Sequence, residues 1–306
     1  MTDIFIDGSA GTTGLRIYER LADREDINVV TLSDELRKDL EARREAISSA
    51  DIAFLCLPDA AAKEIVDFVA DLDTAIIDTS TAHRTASEWT YGFPELIGSE
   101  NIKNSRRIAN PGCHASGFTA LVTPLIREGI LDENAMLSCF SITGYSGGGK
   151  KMIADYEAKD RSNLLDAPRQ YGISQQHKHL KEMVYITGIK NTPVFCPIVA
   201  DFYSGMEVTV PVFKRDLKGT FQDIKSIYKN FYEGKLVHFD DEADENGFLS
   251  AAAFSGKDDM QISVNGNEDR VILTARFDNL GKGASGSAIQ NMNILLGLDE
   301  TYGLEI

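Results

Sequence analysis

From Asp3 to Ala109 short apolar runs alternate with amphipathic stretches, the pattern of parallel β/α construction, in which helices cover both faces of a sheet and leave its strands almost continuously apolar. Asp3–Asp7 predicts a strand, Leu15–Ala22 a helix and Ile27–Leu32 a second strand; Asp51–Leu57, Thr74–Asp78 and Arg107–Ala109 are further candidate sheet members. After Pro111 and Gly112 the pattern changes. Phe118, Leu121, Val122, Leu125 and Ile126 recur at helical spacing and predict a helix from near Cys113 or His114 to near Gly129. Leu137–Thr143, Met206–Phe213, Gln261–Val264 and Arg270–Phe277 then alternate or are rich in β-branched residues, which predicts a largely antiparallel sheet. One amphipathic helix, with Phe221, Ile224, Ile227, Tyr228 and Phe231 on one face, interrupts it, and Asp240–Glu245 reads as a solvated loop. A last helix spans Ala284–Leu298. The expected organisation is an α/β domain over 1–112, rejoined by 284–306, and an α+β domain over 113–283.

Charge narrows the partners. At a formal net charge of −16 the field repels phosphodiester backbones and anionic lipid, and no basic patch offsets it, so neither nucleic acid nor a membrane surface is expected. No apolar run reaches the roughly 18 residues of a membrane helix, and Met1–Gly8 reads as a strand rather than a basic leader, so the cytoplasm is the expected compartment. Cys56, Cys113, Cys139 and Cys196 are too widely spaced for a disulfide framework or a zinc knuckle, and no metal is expected.

Gly8-Ser9-Ala10-Gly11-Thr12-Thr13-Gly14 follows the first strand and opens the first helix, the context of a dinucleotide-binding turn in a Rossmann domain. Glycines there let the backbone approach a pyrophosphate, and the helix N-terminus favours its charge. The spacing is G-x-x-G-x-x-G rather than the NAD-type G-x-G-x-x-G. Just past the second strand, where an acidic residue would hold a ribose 2′-hydroxyl, stands Ser33, with Arg37 and Lys38 one turn on; that set suits a 2′-phosphate and favours NADP(H) over NAD.

In Asn110-Pro111-Gly112-Cys113-His114 one cysteine occupies the first turn of a predicted helix. A thiol of ordinary pKa is only a few per cent ionised at pH 7, and bringing it to about 6 takes roughly 3.4 kcal/mol of thiolate stabilisation, at about 1.36 per unit. A helix dipole gives about 0.3 to 1 kcal/mol, so a base must help. His177-Lys178-His179 is the candidate pair, in a polar stretch with no partners at metal-ligand spacing. His114 reads as packing or capping and His238 as structural, while Cys56, Cys139 and Cys196, in apolar surroundings, read as inert.

In order, GSAGTTG, Asp78-Thr79-Ser80-Thr81-Ala82-His83-Arg84, Asn110–His114, Gly144–Lys150 (GYSGGGK), QQHKH and Asp278–Gly286 make the whole chain resemble the N-acetyl-gamma-glutamyl-phosphate reductases, in their shorter form. Aspartate-semialdehyde and glyceraldehyde-3-phosphate dehydrogenases are the wider relatives. The resemblance implies NADPH-dependent reduction of N-acetyl-L-glutamyl 5-phosphate to the 5-semialdehyde through a thioester on Cys113, a step of arginine biosynthesis, in a homodimer or homotetramer. It implies His177 as general acid/base with His179 the alternative, and Ser80, Arg84 and His179 as substrate contacts. It adds Pro58, Ser146, Gly147, Gly148 and Asn279 to a cofactor set of Gly8, Ser9, Gly11, Thr12, Thr13, Gly14, Ser33 and Arg37. One departure is His114, where many members, chiefly of the longer form, carry an aromatic. The rivals are another acyl-phosphate reductase of the aspartate-semialdehyde type and a non-enzymatic NADP-binding redox sensor.

Overall fold

The computed structural model describes Met1 to Ile306. The chain runs β1 (Thr2–Asp7), α1 (Thr12–Ala22), β2 (Ile27–Val30), α2 (Leu40–Ser49), β3 (Ile52–Leu55), α3 (Asp59–Phe68), β4 (Ala75–Asp78), β5 (Thr90–Tyr91), α4 (Pro94–Ile97), α5 (Ser99–Lys103) and β6 (Arg107–Ala109). It continues through α6 (Cys113–Arg127), β7 (Ser138–Gly144), α7 (Gly149–Glu157), β8 (Arg169–Gln170), α8 (His179–Thr187), β9 (Val194–Ala200), β10 (Met206–Phe213), α9 (Phe221–Phe231), β11 (Val237–Phe239), β12 (Met260–Gly266), β13 (Arg270–Phe277) and α10 (Gly286–Leu295). Two compact units result: Met1–Pro111 with Ala284–Leu304, and Gly112–Gly283 with Glu305–Ile306. No helix is long and apolar enough to cross a membrane.

In the first unit six strands pair in parallel in the order β2-β1-β3-β4-β6-β5. β3 and β4 are buried at every position, as strands covered on both faces must be. One core packs Ile4, Ile6, Phe54, Ile77 and Ile108 against Ala288, Ile289 and Met292 of α10, which places the last helix in this unit. The other packs Phe5, Ala53, Leu55 and Ile76 against Ile47 of α2 and Ile65 of α3. α10 stops at Leu295, short of the expected Leu298, and a π-helical turn, Gly281–Ser285, precedes it.

β1 ends on a buried charge. Asp7 Oδ2 accepts from Arg43 Nε of α2 at 2.7 Å and lies 2.7 Å from Nη2, with both side chains almost wholly buried. Burial raises the Asp7 pKa, and the guanidinium opposes that rise without cancelling it.

The second unit has a seven-stranded sheet, β11-β12-β13-β10-β7-β9-β8. Four of its six pairings are antiparallel; β7 with β9 and β11 with β12 are parallel, so the sheet is mixed. α6 is buried from His114 to Leu125, and its interior Pro124 cannot donate to the carbonyl of Ala120. The Tyr232 hydroxyl of the chain just beyond α9 fills that place at 2.7 Å, and Tyr228 donates to the next carbonyl, Leu121. Gly117 lets α6 lie close on the sheet, since a Cβ there would come within 2.5 Å of Val208. α9 is fixed by a capping box in which Thr220 and Asp223 exchange hydrogen bonds.

Removing one partner of a buried ion pair is expected to cost about 3 to 5 kcal/mol. Arg43→Met should therefore lower the unfolding free energy by that order in urea at pH 8. Asp7 has a raised folded pKa, so the folded state holds its proton more tightly than the unfolded one. Without the guanidinium the folded Asp7 pKa rises further, so the deficit should be full above the variant's folded value and shrink as pH falls through it toward the parent's. A deficit that is the same at pH 8 and pH 4.5 would show that the pair is not what stabilises this edge.

Candidate active site

Cys113 is the first residue of α6, half-buried, with Gly112 as the cap and no capping side chain. The Gly112 N–H donates to Glu182 Oε1 of α8 at 2.8 Å, which fixes the turn entering the helix. On its other side Gly283 lies so close that a Cβ there would sit 2.9 Å from the Cβ of Cys113. A half-buried sulfur at a helix N-terminus is the position in which thiolate charge is favoured.

Three imidazoles gather at this end of α6. His114 is buried; Nδ1 lies 2.7 Å from Ser141 Oγ of β7 and Nε2 lies 2.6 Å from the Tyr171 hydroxyl. Its ring centroid is 5.9 Å from that of His177, 5.5 Å from His179 and 5.3 Å from Phe195. The His177 and His179 centroids are 4.8 Å apart. Sequence reading gave His114 a packing or capping role; the fold makes it the centre of the cluster. Burial, then the charge of His177, pushes its pKa down to about 3, so it is neutral at any working pH.

His177 lies in the loop before α8 and His179 is the first residue of that helix. Burial, then neighbouring Lys178, holds the His177 pKa below the ordinary 6.5. The His179 N–H donates to His177 Nδ1 at 3.3 Å, which favours the tautomer of neutral His177 with its proton on Nε2. That contact is long and biases the tautomer without fixing it. Desolvation pushes the Cys56 thiol up to about 12, and Cys139 is pushed higher still, leaving both thiols protonated.

In the first unit the turn after β1 has the shape its glycines require. Gly8 has φ +85°, and a Cβ on it would lie 2.4 Å from the Cys56 carbonyl; a Cβ on Gly14 would lie 2.4 Å from the Gly8 carbonyl. Gly11 caps α1 without a side chain, so no side chain engages the helix's first amides, those of Thr12 and Thr13. Gly8, Ser9, Leu32, Arg37, Lys38 and Pro58 help line a recess of about 540 Å³. Ser33 is not among its walls; its carbonyl accepts from Leu36 and Arg37 and shapes the turn that carries the cations. A recess at the glycine turn that opens α1, with Arg37 and Lys38 on a wall that also carries Asp34 and Glu64, offers a helix N-terminus and two cations to the pyrophosphate and phosphorylated ribose of a dinucleotide.

At the end of β4, Ser80 directs both its N–H and its hydroxyl to Asp78, whose Oδ2 also lies 2.6 Å from His83 Nδ1. His83 stacks on Trp89 at 4.2 Å. Arg84 Nε donates to the Asn110 carbonyl at 2.8 Å and Nη2 to that of Thr79 at 2.9 Å, so two arms of its fork brace the backbone between β4 and β6. In the second unit Asn279 Nδ2 donates to Ser146 Oγ at 3.0 Å and Asn279 Oδ1 accepts from the Gly205 N–H, bringing Asn279 onto the turn Tyr145–Gly148. Glu182, Tyr171 and Ser141 escaped sequence reading. They sit in α8, in the loop after β8 and in β7, and no motif or spacing links them to Cys113.

Comparison with known proteins agrees with these geometries. Residues 3–105 match the family model for the semialdehyde dehydrogenase NAD binding domain, and residues 113–279 that for the semialdehyde dehydrogenase dimerisation domain. The chain is 42% identical to N-acetyl-gamma-glutamyl-phosphate reductase 2 of Nostoc sp. and 43% identical to the N-acetyl-gamma-glutamyl-phosphate reductase of Trichormus variabilis, in both cases over 98% of each chain. The reductase of Brucella ovis is 42% identical over 96% of this chain and 98% of its own. Among solved structures, aspartate semialdehyde dehydrogenase II of Vibrio cholerae superimposes with a TM-score of 0.72 at 16% identity, over 97% of this chain and 98% of that one. The Francisella tularensis aspartate semialdehyde dehydrogenase gives 0.71, also at 16% identity, over 97% and 100%. Those two share the fold alone, whereas the full-length identity to the named reductases is specific: the chain belongs to the semialdehyde dehydrogenase family and, within it, to the N-acetyl-gamma-glutamyl-phosphate reductases.

Proposed function

We propose that the chain reduces N-acetyl-L-glutamyl 5-phosphate to N-acetyl-L-glutamate 5-semialdehyde and phosphate with NADPH, a step of arginine biosynthesis in the cytoplasm. The observation that carries this reading is a thiol at the N-terminus of α6 with an imidazole pair gathered at the same end. Cys113 attacks the acyl carbon; the C–O bond to phosphate breaks, phosphate leaves with the electron pair, and a thioester forms on the sulfur. His177 is assigned as the general acid/base, exchanging a proton with the site through Nε2 while Nδ1 faces the His179 amide. Ser80, Arg84 and His179 are assigned to the substrate, the guanidinium suiting its anionic groups.

The dinucleotide is assigned to Gly8, Ser9, Gly11, Thr12, Thr13 and Gly14 for the pyrophosphate, Ser33 and Arg37 for the phosphorylated ribose, and Pro58, Ser146, Gly147, Gly148 and Asn279 for the remainder. When bound there it supplies hydride to the thioester carbon. The 1–112 and 284–306 segments are thus assigned to the cofactor, and 113–283 to catalysis and oligomerisation.

The match to a dimerisation domain supports a homo-oligomer built on a dimer. Phe140, Val194, Phe213 and Ile272 are exposed on the second unit, and register places Phe140 opposite Thr209 and Cys196, and Ile272 opposite Pro211, on the sheet face away from Val208 and α6. A second copy of the chain is the assigned occupant. Light scattering should find a dimer or tetramer in the parent and a smaller species in Phe140→Lys; a monomeric parent would remove this assignment.

Cys113→Ser should lose at least about a thousandfold in kcat while still binding NADPH by fluorescence titration. Loss of both together would mean that the fold had failed. His177→Ala should slow acylation by about a hundredfold or more, and more than His179→Ala; the reverse ranking would exchange their roles. Because burial disfavours the His177 imidazolium, the acid limb that this residue contributes to kcat/KM should fall below pH 6.5. A limb above 6.5 that vanishes in His177→Ala would contradict the assignment. The test of the reading as a whole is phosphate-dependent reduction of NADP by N-acetylglutamate semialdehyde, set against aspartate semialdehyde.

A further inference from the structure

The recess beside the glycine turn carries as many carboxylates as cations. Asp7, Asp34 and Glu64 stand against Arg37, Lys38 and Arg43 on its walls, so net charge alone draws no anion into it. Recognition of a phosphate there has to come from directed donors. Arg37 is exposed and lies 3.4 Å from the exposed Asp34, and Lys38 is an exposed point charge.

Arg43 differs from both. It is 4% exposed and stands near the start of α2, a helix capped by Asp39 and packed into the core through Ile47. Asp7 Oδ2 accepts from its Nε at 2.7 Å; Nη2 lies equally near that oxygen, is buried, and makes no hydrogen bond. A buried N–H without an acceptor carries a penalty that a ligand supplying one removes. With Nε committed to Asp7, the two Nη groups are the edge of the fork that can take two oxygens of one phosphate. The walls also indicate which phosphate. Gly8 and Ser9 belong to the turn whose helix suits the pyrophosphate, while Arg37 and Lys38 follow β2. The part of a dinucleotide that falls between these two segments is the adenosine ribose, and its 2′-phosphate is a monoester with three free oxygens.

We propose that Arg43 binds the 2′-phosphate of NADP(H) through its Nη groups, and that Asp7 is the positioning residue that holds the guanidinium for it. The proposal rests on the reading of this recess as the dinucleotide site, and adds to Ser33 and Arg37 a residue of α2 that no local motif marks.

The test is calorimetric titration of the whole chain with adenosine 2′,5′-bisphosphate and with adenosine 5′-monophosphate, neither of which turns over. The parent should prefer the bisphosphate. Arg43→Lys keeps the charge and loses the fork, so it should cut that preference about tenfold while its Kd for the monophosphate stays within about twofold of the parent's. An unchanged preference in Arg43→Lys overturns the proposal. So does an equal weakening toward both ligands in a variant whose thermal unfolding matches the parent's. Should Arg43→Lys fail to fold, Asp7→Asn decides: it keeps an oxygen for Nε, removes the charge that offsets the guanidinium, and should raise the preference about threefold. A preference in Asp7→Asn no higher than the parent's overturns the proposal. A parent that binds both ligands alike would overturn the phosphorylated-ribose reading beneath it as well, so the two failures are separable.

Discussion

A sulfur can attack an acyl phosphate at neutral pH only as the anion, and on the reading proposed above that anion forms at the end of a helix whose next twelve residues are buried. Desolvation works against any charge placed there. It drives His114 to neutrality and depresses His177. The amides that open α6 supply dipoles at that point. Such groups need no counter-ion and undergo little reorganisation when charge appears, which is the condition under which electrostatic stabilisation is most effective.

The scaffold meets this requirement by rigidity. α6 is the central element of its unit, and even its interior proline is accommodated, because Tyr232 supplies the hydrogen bond that Pro124 cannot. Glu182 ties the Gly112 amide, and the space beside Cys113 admits only a glycine at 283. Cys113 is therefore bounded by Gly283 on one side and by a turn that the Glu182 carboxylate fixes on the other.

On the proposed reading the first unit solves a different problem, seating a large anion on an acidic chain of net charge −16. The turn after β1 does so with backbone amides rather than side chains. The close approaches at Gly8 and Gly14 are the reason that only glycine serves there. Arg43, whose guanidinium reaches back to Asp7, also lines the recess, so the residue that neutralises the end of β1 contributes to the same wall.

Sequence alone determined the α/β first half, the glycine turn, and the start of a helix at Cys113, because each follows from local period or from residue types with local consequences. Met206–Phe213 and Arg270–Phe277 were legible as strands to the residue, for their alternation reports one buried face. β9 was not, since Pro197 within it argues against an interior strand, and α2 carries too few apolar positions to stand out. Parallel pairing of β7 with β9 inside a sheet expected to be largely antiparallel, and the gathering of His114, Tyr171, Ser141 and Glu182 about one helical turn, were decided by tertiary structure. Burial and hydrogen-bond direction are properties of neighbours far apart in the chain. A histidine that reads as packing in the sequence becomes the pivot of the site only when the fold removes its water and leaves it two hydroxyls.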